Sequence, residues 1–426
     1  MRPFEQLLDS MDYLVHGNRM LAGLGVCYGT ARDSRHALCG NAQEVLLGPD
    51  GFAPAARPLT GRTLYDLASL TKLFTCLCVL RLREDGRLSL DERFGEADPR
   101  FPGLRDVTVG DVLSFRAYLR SPSRVDEAAN RTEALARVFA IAPAAPPAVK
   151  LYTDMNALAL GHLVESRADM ELYEYVQRAV LRPAGMTETF CRVPPQRLGD
   201  CANYNYECRL TDGRPVLRTD APPGTPHDPK ARVLGDGGRH LSGHAGLFST
   251  LGDMTRLAQA LLSGEVLPLA VVREIGVNRT GRPNADGTHV QYLGYQCFSR
   301  HPQQRLSEVP AYMGPCALGL SGFTGNHLSL DPEAGVFALF LGNRAHARLT
   351  TLVLPHGLSE ADFGLDADGA GQVCWPSGLA SPAPGLALWS SVRYVYQKDK
   401  RLHAPIWADM EALGWLVSSR RESPCR

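Results

Sequence analysis

The run from Leu70 to Leu82 is nearly all apolar, with Leu70, Leu73, Phe74, Leu77, Val79 and Leu80 distributed round every side of a helix. A helix that is hydrophobic all round cannot lie on a surface, so other layers must enclose it. Asp85-Gly86 supplies a stop signal at its end. At 426 residues the chain is long enough for one large domain, or two closely joined, to wrap such a helix.

The enclosing layers can be sketched from periodicity. Phe4, Leu7, Leu8 and Met11 fall at helical spacing, which predicts an amphipathic helix over 4–15. Leu24–Gly29 and His36–Leu47 read as strands joined by a polar turn at Asp33-Ser34. Helices are expected over 126–142 and 156–180, separated by the Pro-rich stretch 142–147. The Pro-, Gly- and Asp-rich segment 194–240 reads as a long wrapping loop. Strands return from 289, with a hairpin of Asn326–Asp331 and Val336–Leu341 about the turn 331–335, and a helix is expected near 405–417. Strands at both ends and helices between them predict an α+β fold, an antiparallel sheet flanked by helices beside a mainly helical lobe. The expected division is 1–90 plus 241–426 for the sheet domain and 91–240 for the lobe.

Ser69 and Lys72 open the apolar helix at i and i+3, so their side chains share one face. A serine hydroxyl becomes a nucleophile when a base takes its proton. A buried lysine is pushed toward the neutral form that can act as that base. The start of a helix adds N–H groups suited to an oxyanion. Taken alone, Ser-x-x-Lys is weak, and a capping serine with a solvated lysine is the commoner meaning.

The surrounding blocks carry more. Tyr65-Asp66-Leu67-Ala68-Ser69-Leu70-Thr71-Lys72 resembles the nucleophile signature of β-lactamase-related serine hydrolases. That group includes class C β-lactamases, low-molecular-weight penicillin-binding proteins and family VIII esterases. Tyr152-Thr153-Asp154 with Asn156 resembles its Tyr-Ser-Asn block, Gly243–Thr250 its Gly-His-Ala-Gly-Leu-Phe-Ser-Thr block, and Gly319–Gly325 its third motif, with Asn343-Arg344 following the last long strand. The likeness covers roughly residues 15–345, and blocks in the right order are far more specific than any one. It implies a β-lactamase/transpeptidase-like fold with its site between sheet and helical lobe. It also implies an acyl-enzyme on Ser69, general acid–base duty shared by Lys72 and Tyr152, and an oxyanion hole of the Ser69 and Phe323 amides. His244 reads as a hydrogen-bonded structural histidine, and His227 is equally open.

Two departures matter. Leu320-Ser321-Gly322 stands where the family carries Lys-Thr-Gly or His-Thr-Gly. A hydrogen bond to a charged group is worth roughly 1.5–3 kcal/mol, so losing the cation weakens carboxylate recognition by about ten- to a hundredfold. That argues against an efficient β-lactamase or D-alanyl-D-alanine carboxypeptidase, unless Arg344 supplies a substitute charge. Asp154 stands where the family has Asn, and a carboxylate there favours the charged ammonium of Lys72. Either Tyr152 takes over proton transfer, or Asp154 points away and Asn156 takes its place. Upstream, Leu113-Ser114-Phe115-Arg116 is also unusual, and Arg116 reads as a buried structural arginine.

Lysine plus arginine equals aspartate plus glutamate at 45 each, so no net field draws the chain to nucleic acid or an anionic membrane. No stretch reaches the roughly 18 apolar residues of a membrane span. The start lacks a charged-then-apolar leader, which predicts a cytoplasmic protein. The eleven cysteines show no zinc spacing and read mostly as reduced core residues. No metal or organic cofactor is implied, and oligomeric state is left open. The expected function is hydrolysis of a small ester, amide or acyl substrate, with acyl transfer to another acceptor as a variant. The alternatives are a β-lactamase or D-Ala peptidase, and a non-catalytic binding homologue.

Overall fold

A computed structural model describes residues 2–304 and 307–416. Seven strands form one antiparallel sheet in the order 298–299, 318–322, 326–331, 336–342, 23–30, 34–48 and 51–58. N-terminal and C-terminal halves therefore meet at its centre, where Leu24 pairs with Gly342 and Thr30 with Val336. The predicted hairpins are present as Gly23–Thr30 with Ser34–Gly48 and as Asn326–Asp331 with Val336–Gly342. Strand alternation sends Leu320, Leu328 and Leu339 to one face and His327, Ala338 and Phe340 to the other.

On the first face lies the apolar helix, Thr71–Glu84, with Leu73, Phe74, Leu77 and Leu80 fully enclosed. Against it packs Asp154–Ala168, whose Leu158, Leu160 and Leu163 belong to the same core. On the second face the helices Pro3–Asp12 and Ala404–Ala412 close over Tyr28, Val336 and Phe340. Arg35 and Tyr28 both bond the buried Asp409, tying the last helix to the sheet. The result is a sheet between two helical layers, the predicted α+β arrangement.

Several expected elements are shorter. The helix expected over 126–142 is Arg131–Phe139, capped by Asn130. The one expected over 156–180 breaks at Asp169, which adopts φ 55°, and resumes at Leu172. The last helix ends at Ala412, and residue 417 lies outside the described residues. The larger difference is 194–240, which is no simple loop. Glu207–Thr211 and Arg214–Arg218 form a hairpin, and Glu207–Thr211 pairs in parallel with Arg348–Leu352 in a second, four-stranded sheet. Cys208, Leu210, Leu349, Phe363 and Leu388 give that sheet its own small core. Its strands are too short and too polar on one side for periodicity to reveal them.

No helix among the described residues is long and apolar enough to cross a membrane. Among the described residues nine cysteines are free thiols, seven of them buried, and Cys316 is disulfide-bonded.

Candidate active site

The turn that carries Ser69 is pinned from several sides. Asp66 is buried, and its carboxylate accepts from the Ala68 N–H at 2.9 Å and the His227 N–H at 2.6 Å. Its carbonyl accepts from Thr324 Oγ1 and Asn326 Nδ2 at 2.8 and 2.7 Å. Ala68 is held at φ 46°, a left-handed conformation that costs a non-glycine residue energy and persists where the surroundings over-determine it. A short 3-10 turn, Ala68–Leu70, then leads into the buried helix.

Gly322 ends the strand that faces this turn. A Cβ on it would sit 2.7 Å from the Leu67 carbonyl oxygen and 3.5 Å from the Ala68 Cβ. The missing side chain lets the end of this strand pack directly against the Leu67–Ala68 backbone.

Lys72 is fully buried, and its three donors are all used. They reach Ser69 Oγ at 2.8 Å, Asp154 Oδ1 at 2.8 Å and the His244 carbonyl at 3.3 Å. Burial alone would lower the Lys72 pKa, but the Asp154 carboxylate and the Tyr152 hydroxyl outweigh it and the pKa lies above the ordinary lysine value. Asp154 is held far below the ordinary carboxylate range: Lys72, His244 and Lys230 together overcome the opposing effect of burial. The ion pair is therefore charged on both sides. Tyr152 lies with its ring 5.1 Å from Lys72 Nζ, stacked on Phe298 at 5.2 Å and tilted on Phe115 at 5.3 Å. Gln291 accepts from the backbone N–H groups of Leu151 and Tyr152 and fixes the segment.

Of the two expected outcomes at 154, the structure takes the one that keeps Asp154 in the site. Asn156 is a correction: it is fully buried and its amide donates to the Val112 and Ala117 carbonyls, so it serves the core and not the site. Two residues along the helix amount to about 200° round its axis, so Asn156 points away from the side that Asp154 faces. Arg116 is a second correction, being about half exposed and paired with Asp111. His244 bonds Ser242 and Asp228 through its two ring nitrogens.

Leu320 is buried in the core behind the strand. Ser321 points the other way, into a polar cluster that the sequence did not disclose. Its hydroxyl lies 2.6 Å from Lys398 Nζ, 2.7 Å from Glu308 and 3.0 Å from His327 Nδ1. Arg344 is buried beside Phe323, its guanidinium 5.0 Å from the ring centroid, donating to Ser391 and the Thr350 carbonyl. Burial brings its pKa down to about 10. Arg209, from the unexpected hairpin, lies at the same 5.0 Å from that ring. His227 stacks on Phe323 at 5.4 Å. Behind them the buried Glu207 gathers Arg209, Arg218, His227 and Thr350.

A second unforeseen group lies beside Asp154. Lys230 Nζ is 3.2 Å from Asp154 Oδ2 and 3.0 Å from Asp228 Oδ2, and Asp228 Oδ1 is 3.0 Å from His244 Nε2. Asp154, Asp228 and His244 bring three donor atoms within 4.8 Å of one another, but the Lys230 ammonium already lies between the carboxylates and supplies the positive charge there. The Asp228-Pro229 pair that starts this short helix was a readable signal for its N-terminus. A cleft of about 530 Å³ opens beside Tyr152, Asp154 and Lys230.

The fold and this site describe a serine hydrolase of the β-lactamase/transpeptidase type. The Beta-lactamase family model matches residues 37–354, and the chain belongs to that family. It is 31% identical over 332 residues to a protein of Escherichia coli K12 described as "Putative D-alanyl-D-alanine carboxypeptidase", covering 70% of this chain and 73% of that one. A protein of the same description in Salmonella schwarzengrund is 28% identical, covering 70% and 74%. Among solved structures, a class C β-lactamase superposes with a TM-score of 0.59 at 16% identity over 80% of this chain and 91% of the other. The octameric penicillin-binding protein homologue of Pyrococcus abyssi gives 0.58 at 19% identity over 80% and 73%. Simvastatin synthase of Aspergillus terreus gives 0.59 at 18% identity over 80% and 93%.

Proposed function

We propose that the protein cleaves a small ester or amide through a covalent acyl-enzyme on Ser69. The observation that carries this is Ser69 Oγ at 2.8 Å from the buried Lys72 ammonium, on a turn that Gly322 lets the Phe323 backbone approach. Ser69 Oγ attacks the acyl carbon as its proton passes to the Tyr152 phenolate, and the resulting phenol delivers that proton to the departing alcohol or amine. The amides of Ser69 and Phe323 hold the oxyanion, an arrangement in which each donor is worth about 10²–10³ in rate. Water then attacks the acyl carbon, the acid leaves, and Ser69 regains a proton by the same route. An alcohol or amine in place of water would make the second half an acyl transfer.

Lys72 acts here as a fixed positive charge, because its donors are spent and Asp154 holds it protonated. Proton transfer therefore falls to Tyr152. With Leu320 buried and Ser321 engaged by Lys398, neither side chain is offered to a substrate carboxylate. This favours a neutral acyl group.

A second reading has one observation in its favour. Arg209 and Arg344 flank Phe323, and they could bind a carboxylate where the third motif lacks its cation. With the carboxypeptidase relatives, that supports a D-alanyl peptide substrate. The test is intact-protein mass spectrometry after exposure to a fluorophosphonate, to neutral nitrophenyl esters and to a D-alanyl-D-alanine peptide, with S69A in parallel. An adduct on the native chain that S69A lacks, with turnover of the neutral esters, is expected. Turnover of the peptide alone would select the second reading. No adduct on a folded native chain would leave a non-catalytic binder.

A further inference from the structure

Asp154 adds a negative charge against the nucleophile, and 194–240 answers it. Asp228 caps the helix Pro229–Gly235, accepting from the Ala231 N–H at 3.0 Å. That cap and Pro229 fix the backbone of Lys230 and send its side chain inward, only 17% exposed. Lys230 then takes one oxygen of Asp154 while Lys72 takes the other. We propose that Lys230 is a positioning residue that makes an aspartate at 154 workable, by sharing that carboxylate with Lys72 and so setting the pH at which the Ser69 centre is activated. This rests on the acyl-enzyme reading above.

The charge count gives the sign. The groups facing Lys72 are Ser69, Tyr152, Asp154 and the His244 carbonyl, and those facing Asp154 from the other side are Lys230, Asp228 and the His244 ring. With the His244 ring neutral, two ammonium groups balance two carboxylates within this set, and Asp126 faces Lys230 from further off. Removing the Lys230 charge leaves a net negative set beside the nucleophile. A negative field raises the pH at which Tyr152 can release its proton, and it opposes the forming oxyanion. Removing the Asp154 charge does the reverse.

The experiment follows the second-order rate of fluorophosphonate labelling of the full chain from about pH 5 to about pH 10. In K230M the acid limb should move up by about one unit, an approximately tenfold slower rate on that limb. K230R should restore its position. D154N should move the limb down, and K230M should move it less in the D154N background than in the native chain. If K230M lowers the melting temperature and leaves the limb in place, Lys230 is only structural and the inference fails. If K230M does not fold, an unmoved limb in D154N overturns it equally. A native chain unlabelled at every pH removes the Ser69 reading and this inference with it, whereas labelling with unshifted limbs removes the inference alone.

Discussion

Replacing Gly322 by alanine tests whether the approach of strand 318–322 to the Ser69 turn is what the proposed chemistry needs. The added Cβ would lie 2.7 Å from the Leu67 carbonyl oxygen, about 0.7 Å short of the 3.4 Å at which ordinary contact begins. Leu67 cannot yield: its N–H bonds the Leu247 carbonyl at 2.9 Å, and Asp66 before it is held by Thr324, Asn326, Ala68 and His227. Gly322 does not have a positive φ, so the clash and not the backbone conformation is what alanine tests. The strand end must therefore retreat by several tenths of an ångström, carrying the Phe323 amide away from Ser69. Misplacement near 1 Å costs about 10²-fold, and loss of one oxyanion donor about 10²–10³-fold. The expected result is acylation slowed about a hundredfold, with an overpacking cost of about 1–3 kcal/mol in stability. The rate is read as phosphonylation by intact mass, and stability as a denaturant midpoint. A folded G322A chain labelled within about threefold of the native rate would refute the geometry assigned to the Phe323 amide.

Y152F keeps the stacking on Phe115 and Phe298 but removes the hydroxyl, so labelling should slow by about 10²–10⁴ while the melting temperature holds. An unchanged rate would take proton transfer away from Tyr152. K398M strips the Glu308 carboxylate of its 2.7 Å partner and should cost about 3–5 kcal/mol in urea unfolding, as breaking a buried pair does. Lys398 overcomes the effect of burial and holds Glu308 below its ordinary range, so this stabilisation is full above that range and is lost as pH falls through the folded value. The stability gap between K398M and the native chain in urea unfolding should therefore narrow as pH falls through that value. Burial pushes the Asp399 carboxyl up to about 6, so the native chain should lose stability as pH rises from the ordinary aspartate range to that value. D399N should abolish that decline in a series of denaturant midpoints.

Local chemistry made much of the architecture legible. The enclosed helix after Ser69, the two hairpins and the meeting of both chain halves in one sheet follow from apolar periodicity and turn residues, and the structure has them. The Ser69–Lys72 pairing was readable because i and i+3 share a helix face at any tertiary arrangement. The hairpin 207–218 was not, because its strands are short and its partner, 348–352, lies far away in the chain. Asn156 was misplaced for a related reason. Sequence spacing gives a helical residue its angle round the axis, but which angle faces the cleft depends on the neighbouring elements.

The sequence by itself determined the family, the Ser69–Lys72 pairing and the place of the buried helix, since each is written in neighbouring residues. Only the tertiary structure decided the electrostatics. Lys230 comes to Asp154, Lys398 to Ser321 and Arg209 to Phe323 from segments remote in the chain. Charge interactions depend on distance through space, and no spacing along a sequence specifies that.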